Sequence, residues 1–143
     1  MKNRRLIKGL MNTYEKKPPK MHVYRLPGDW TVWAGKTDDD NDAVSLKLAS
    51  PRDWWFHVRG MPGSHVVLHH ETEPSPDRAI LKLAAAIAAY HSKASGGGTV
   101  NVAYTRACNV TKPKGAKSGT VHIRRERLIK TRPEIPSDVV KED

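Results

Sequence analysis

One segment constrains the fold of this chain more than any other. The stretch PSPDRAILKLAAAIAAYHSKA, residues 74–94, has the pattern of a single amphipathic helix. Ile80, Leu83 and Ile87 recur at the spacing that places apolar side chains on one helical face. Asp77 precedes the periodic stretch as a candidate N-cap, and the glycine run that follows ends the helix because glycine readily adopts a left-handed conformation. The alanine-rich stripe permits close packing, so the rest of the chain is expected to supply a sheet for it.

Short segments rich in β-branched and aromatic residues lie on both sides of this helix, and they are typical of strands. Asp38 to Asp40 are candidate N-caps of a short second helix. The sequence therefore predicts a single α+β domain, with a mixed β-sheet, one long helix and a short helix packed on it. The predicted strands are residues 22–26, 30–34, 54–58, 65–70, 99–105, 119–123 and 127–131.

Three regions are distinguished by composition. Residues 1–20 form a basic N-terminal segment, in which residues 6–14 have the spacing of a short amphipathic helix. Residues 21–132 form the predicted domain, and residues 133–143 are expected to be a disordered tail. No apolar run reaches the length of a membrane span, and the single Cys108 excludes an internal disulfide. We therefore expect a cytoplasmic protein with no membrane partner.

The charge of the chain is concentrated rather than dispersed. Lys and Arg number 25 against 15 Asp and Glu, for a net charge of +10. The excess gathers in residues 1–20 and 105–132, which is the electrostatic pattern of a nucleic-acid-binding protein. A generally basic, soluble surface remains the alternative. The cations of the loop at 111–119 and its flanking strands are Lys112, Lys114, Lys117, Arg106, Arg124 and Arg125.

The stretch DWWFHVR, residues 53–59, has an unusual density of aromatic and ionisable side chains. Strand alternation places Trp54, Phe56 and Val58 in the core. Pairing with residues 65–70 would bring His65 near His57. The side chains expected to face water or a ligand are Asp53, Trp55, His57 and Arg59.

Several interpretations of this row compete. Trp55 could stack on a base while the histidines and Arg59 contact RNA. Asp53 with His57 or His65 could perform acid–base chemistry, and Cys108 could act as a nucleophile. A metal site would have to use histidines alone, without a compact ligand spacing. Histidines hydrogen-bonded within a sheet are the structural alternative. The candidate metal ligands are His57, His65, His69 and His70.

Several ordered blocks of the chain resemble one family, the NFACT RNA-binding domain of the large ribosome-associated quality-control factors. The resemblance covers roughly residues 22–132 and implies an α+β fold that binds tRNA or ribosomal RNA. It also implies that Asp53, His57, His65, Lys112 and Lys117 lie at or near the RNA surface. The blocks are Gly35 with Asn41-Asp42; Asp53, Trp55, Phe56 and His57; Gly63 to Val66; Tyr90, Ser92 and Lys93; Val102, Tyr104 and Thr105; and Lys112-Pro113, Gly115-Ala116, Gly119 and Val121.

The sequence thus favours a non-enzymatic RNA-binding protein that needs no cofactor or metal. Its expected partners are tRNA or rRNA and the ribosome, and a role that assists RNA modification stays open. The alternatives are an RNA-modifying or hydrolytic enzyme, and an adaptor that binds a protein partner or a second copy through residues 6–14. The expected RNA-binding residues are Asp53, Trp55, His57, Arg59, His65, Arg106, Lys112, Lys114, Lys117, Arg124 and Arg125.

Overall fold

Nine strands occur in the computed structural model of the protein, which describes residues 18–142. The strands are β1 (Met21–Leu26), β2 (Trp30–Gly35), β3 (Trp54–Val58), β4 (Val66–His69), β5 (Val100–Arg106), β6 (Val110–Thr111), β7 (His122–Ile123), β8 (Arg127–Thr131) and β9 (Val140–Lys141). Seven of them form one sheet in the order β8-β5-β3-β4-β2-β1-β9, and β6 pairs with β7 in a separate hairpin. The helices are α1 (Asp38–Ala43), which continues into a π-helical turn over Val44–Leu48, α2 (Arg78–Tyr90), and a 3-10 turn over Ala107–Asn109.

The predicted α+β class, with one long and one short helix, is confirmed. Where a mixed sheet was expected, each strand pairing in the described residues is antiparallel. The connection from β1 to β2 is tight because Gly28 and Asp29 both take positive φ, at 86° and 66°. Antiparallel neighbours can be joined by hairpins of this kind, whereas parallel neighbours need a long crossover connection.

Helix α2 covers one face of the sheet. It begins where predicted, since the Asp77 carboxylate accepts a hydrogen bond from the backbone N–H of Ile80 at 3.0 Å. Five of its alanines, at 84–86, 88 and 89, are buried with Ile87, and Phe56 and Val58 project into the same core, as alternation predicted. Alanine has no side chain beyond Cβ, so the helix axis lies close to the sheet.

The opposite face of the sheet is covered as well, by α1, the π-helical turn and the β6–β7 hairpin. Val44, Trp55, Val67 and Val110 form a second, smaller core there. The N-cap of α1 is Thr37, which accepts from the Asp40 backbone N–H while Asp40 accepts from that of Thr37. This corrects the expectation that Asp38 to Asp40 are the caps, because these aspartates occupy the first helical turn, where the helix dipole favours negative charge.

The C-terminal tail, expected to be disordered, is ordered through residue 142. Strand β9 pairs with β1 at the edge of the sheet, and Val139 is buried in the α2-side core. Glu142 pairs with Arg25 at 2.8 Å. The polar composition of the tail predicted disorder, but Val139 is buried in the main core and Ile135 packs against that core.

The expectations for residues 1–17 lie outside the described residues. Within the described part of the chain, no helix is long and apolar enough to cross a membrane.

Candidate functional site

A cleft of about 470 Å³ lies between the sheet and the loop that joins β6 to β7. Its floor is the sheet face that carries β3 residues, and its wall is the loop. The lining residues are Asp38, Asn41, Trp55, His57, Pro62, Gly63, His65, Lys117, Ser118, Gly119, Thr120, Val121 and Ile123. The cleft therefore lies between two features that are far apart in the sequence, the histidines His57 and His65 and the basic loop at 111–119.

The two predicted neighbours at the floor do come together. The antiparallel pairing of β3 with β4 places the rings of His57 and His65 edge to face, with centroids 5.4 Å apart. The ring of His57 also lies over that of Trp55, 6.0 Å between centroids and 25° between planes. Two imidazoles and an indole thus form one aromatic cluster.

Hydrogen bonds through Ser45, in the π-helical turn, hold this cluster in place. Trp55 Nε1 donates to Ser45 Oγ at 2.9 Å, and Ser45 Oγ lies 2.9 Å from His65 Nδ1. An indole N–H can only donate, so the Ser45 hydroxyl accepts from Trp55 and has its own proton available for His65. Ser45 was not singled out from the sequence, because no spacing rule links a helical turn to a strand twenty residues away.

Helix α1 is held against the same strand. Asn41 Oδ1 accepts from the backbone N–H of His65 at 3.0 Å. A Cβ on Gly35 would lie 2.3 Å from that oxygen, so only glycine at position 35 allows this approach. The resemblance had pointed to Gly35 and Asn41 without giving them a role, and the structure supplies one.

Both histidines of the cleft are neutral at pH 7. Burial, with a smaller contribution from the nearby His57, lowers the pKa of His65 to about 4. Burial likewise lowers the pKa of His57. The partly exposed His57 ring therefore offers a flat face to the cleft and adds no positive charge, whereas His65 is only 4% exposed and is held within the protein by Ser45.

The prediction that Trp55 and Asp53 face a ligand needs correction. Trp55 is 2% exposed and Asp53 is 3% exposed, because α1 and the β6–β7 hairpin cover their face of the sheet. A base cannot stack on Trp55 while the indole is so covered.

Asp53 also does not pair with His57. Its carboxylate accepts from the Ser50 backbone N–H at 2.8 Å and lies 2.9 Å from His69 Nδ1. The hydrogen bond to Asp53 raises the pKa of His69. The acid–base arrangement that the sequence allowed is thus replaced by a pair whose carboxylate is buried.

The basic loop is tethered to α1 by acidic side chains. Lys112 Nζ lies 3.1 Å from Asp42 Oδ2 and donates to the carbonyls of Lys117 and Thr120. Asp42 also accepts from the backbone N–H of Gly119 at 3.1 Å. The charge of Lys112 is therefore engaged within the protein, which argues against the predicted phosphate contact by this lysine.

The remaining cations of the loop region are differently placed. Lys114, Lys117, Arg124 and Arg125 are exposed and form no ion pair within residues 18–142. Lys117 lines the cleft. Thr105 Oγ1 donates to the Arg124 carbonyl at 2.8 Å, which holds the two arginines on the face that carries His57.

Arg106 and Arg59 differ from these four cations, because each is engaged by other groups of the protein. The Arg106 guanidinium lies 4.2 Å from the Trp54 ring centroid, and it donates to the Arg52 carbonyl. Trp54 projects toward the α2 side, so Arg106 is separated from the cleft. Arg59 lies on the cleft side but pairs with Glu126 at 3.1 Å.

Strand β8 adds residues that the sequence did not single out. His57 is opposite Ala103, which is opposite Leu128, and Asn101 is opposite Lys130. Cross-strand partners project to the same face. Leu128 and Lys130 are exposed, so the open sheet surface extends from the cleft to the β8 edge.

The described residues contain no group of three or more His, Cys, Asp or Glu side chains placed to hold a metal ion. Cys108 has an exposed thiol, which follows β5 in the 3-10 turn.

Comparison with known proteins fits these features. A family model described as the NFACT protein RNA binding domain matches residues 20–125. The chain belongs to this family. The resemblance found in the sequence blocks is thereby confirmed.

The relatives are longer proteins. The chain is 38% identical over 103 residues to the Rqc2 homolog RqcH of Bacillus subtilis and 35% identical over 106 residues to that of Streptococcus suis. The two matches cover 72% and 74% of this chain, but only 18% and 19% of the length of the relatives. Coiled-coil domain-containing protein 25 of Bos taurus is 27% identical over 105 residues, which cover 71% of this chain and 50% of that protein.

One solved structure shares the fold over most of the chain. It is that of the C-terminal part of the fibronectin/fibrinogen-binding protein from Streptococcus suis, with a TM-score of 0.76 and 31% identity. The match covers 92% of this chain and 55% of that one. The structural match thus covers more of this chain than the residues 20–125 that the family model matches.

Proposed function

We propose that this NFACT domain is a non-enzymatic RNA-binding protein of the cytoplasm that takes tRNA or ribosomal RNA as its ligand. One observation carries the proposal: four exposed cations that form no ion pair within residues 18–142 lie in the β6–β7 loop that borders the cleft or directly after β7, and Lys130 projects from the same sheet face as His57. The four are Lys114, Lys117, Arg124 and Arg125. Membership of an RNA-binding family supports the same conclusion. The resemblance to the ribosome-associated quality-control factors makes ribosome-associated RNA the first target to test.

Phosphate is the chemical group that this surface fits best. Lysines on a loop act as mobile point charges, and arginines bind phosphate through two parallel hydrogen bonds. The neutral histidines at the centre do not contribute to the charge. Five cations that each neutralise one phosphate would give a slope of about −3 to −5 in a plot of log K against log salt.

An experiment on charge placement tests the proposal. The double variant K114E/K117E should weaken tRNA binding by at least tenfold at low salt and by a similar factor for unrelated structured RNAs, since phosphate contacts carry no sequence information. The matched control is R78E/K82E, which makes the same change in net charge on exposed positions of α2, across the sheet.

Fluorescence anisotropy titrations at several salt concentrations measure both effects. Equal loss of affinity in the two double variants would show that only net charge matters and would refute the proposed surface. No RNA binding by the wild-type protein at low salt would refute the function itself.

A further inference from the structure

We infer that the cleft between His57 and the β6–β7 loop binds a single unpaired nucleobase of the RNA, with the base stacked on the His57 ring. The inference rests on the proposed function and makes it more specific. It names the part of the RNA that this site takes.

His57 has the surroundings of a stacking platform. The Trp55 indole lies nearly parallel beneath it, 6.0 Å between centroids, and His65 packs against its edge at 5.4 Å. His57 nonetheless lines the cleft and remains partly exposed. A base that entered the cleft would extend a stack that the protein has already begun, and histidine is among the rings on which unpaired RNA bases stack.

The chemistry of the lining suits a neutral heteroaromatic ring better than a phosphate. Pro62, Val121 and Ile123 supply apolar wall. Among the polar lining residues, Asn41 and His65 are almost fully buried, so His57 is the imidazole that the cleft exposes. Burial lowers the pKa of both imidazoles, so neither presents a cation to an anionic group. The arrangement of a mostly apolar wall with a few convergent polar groups is that of a small-ligand pocket, and about 470 Å³ lies within the usual range of about 300–1,000 Å³ for such pockets.

Cations stand where the attached RNA backbone would leave the cleft. Lys117 belongs to the lining itself, and Arg124 and Arg125 are exposed beside the same sheet face. A base-paired stem cannot enter, because its bases are stacked within the duplex. The site therefore selects a bulged, looped or terminal nucleotide whose base is already free.

The test compares two RNA hairpins that differ at one position. One carries a single bulged adenosine, and the other carries an abasic residue there, so their phosphate charge is the same. The wild-type protein should bind the adenosine RNA about tenfold more tightly, as expected for one stacked base. AMP should compete only at concentrations far above the Kd of the bulged RNA, because it lacks the neighbouring phosphates.

Four variants locate the effect. T120W fills the cleft from an exposed lining position and should reduce the tenfold preference to about one, with affinity for the abasic RNA unchanged. H122W adds the same indole to an exposed hairpin residue outside the lining and should keep the preference. H57A should lose it, whereas H57F should retain most of it because the ring remains.

The outcomes separate this inference from the proposed function. Equal binding of the two hairpins by the wild-type protein, with a steep salt dependence, overturns the base site and leaves RNA binding intact. A preference that survives in T120W and H57A overturns it too, since the base would then be bound elsewhere. Micromolar binding of AMP without any preference for the bulged RNA overturns it in favour of a free nucleotide as the ligand.

Discussion

The two histidines of the cleft show how position decides what a residue contributes. His57 and His65 sit in a protein of net charge +10, yet burial makes them neutral polar groups rather than cations. Ser45 Oγ links Trp55 Nε1 to His65 Nδ1 through two hydrogen bonds of 2.9 Å each. Replacing one of these three residues leaves another unsatisfied in a buried setting, where the cost is highest.

The lowered pKa of His65 predicts a loss of stability in acid. The folded state holds the ring neutral down to about pH 4, whereas the unfolded chain binds a proton near pH 6.5. The unfolded state therefore binds more protons between these values, so the stabilisation is present above pH 6.5 and is lost as the pH falls toward 4. Between pH 7 and 4.5 the expected contribution of His65 is about 2 kcal/mol.

Urea denaturation at these two pH values measures the effect in the wild-type protein and in H65N. The variant should be less stable at pH 7 but should lose about 2 kcal/mol less on acidification. The comparison is needed because His91, whose pKa burial also lowers to about 4, contributes in the same direction, while His69 contributes in the opposite one. The same pH dependence in H65N and the wild-type protein would contradict the assignment.

At the scale of elements, the β6–β7 hairpin owes its position to α1. Asp39 accepts from Ser118 Oγ at 2.6 Å, and Asp42 holds both Lys112 and the Gly119 backbone. An acidic helix thus fastens a basic loop, and the loop forms the wall of the cleft. Within one short loop, Lys112 is bound by Asp42, whereas Lys117 is exposed in the cleft, where we propose that it contacts phosphate.

Removing one lysine at a time should separate these two roles. K112M should lower the free energy of unfolding by about 1–2 kcal/mol, because it removes three contacts to a charged group, and should leave the salt slope of RNA binding unchanged. K117M should leave stability unchanged and reduce the magnitude of the salt slope by somewhat less than one. Urea denaturation and binding titrations test the pair, and the reverse pattern would show that Lys112 is the phosphate contact.

On the scale of the whole molecule, the two faces of the sheet carry different features. The α2 face contains the main core, and the other face contains the smaller core, the cleft and the open surface toward β8. Strand β9 closes the end of the sheet opposite β8. Stability and binding should therefore be separable by mutation at the two ends.

Two neighbouring valines near β9 provide a matched pair for that expectation. V139A should cost about 1–3 kcal/mol because Val139 is buried in the core, whereas V140A should change stability by less than about 0.5 kcal/mol because Val140 is 62% exposed. Thermal or urea unfolding measures this. RNA affinity should be the same in both variants, and a loss of affinity in V139A that is absent in V140A would show that the two ends are coupled.

Local patterns were sufficient for the elements and for part of the site. The 3.6-residue periodicity and Asp77 located α2, alternation located the buried set of β3, and strand pairing brought His57 and His65 together. Such features depend on residues close together in the sequence or on two strands joined by a short connection, so they can be predicted from the sequence.

The sequence by itself determined the α+β class, the start of α2, the clustering of positive charge and the family. Only the tertiary structure decided that Trp55 is buried, that Lys112 is bound by Asp42, that Asp53 pairs with His69, and that the tail closes the sheet. The physical reason is the same for all four. Burial and ion pairing depend on which distant element covers a residue, and neither alternation nor charge counting contains that information.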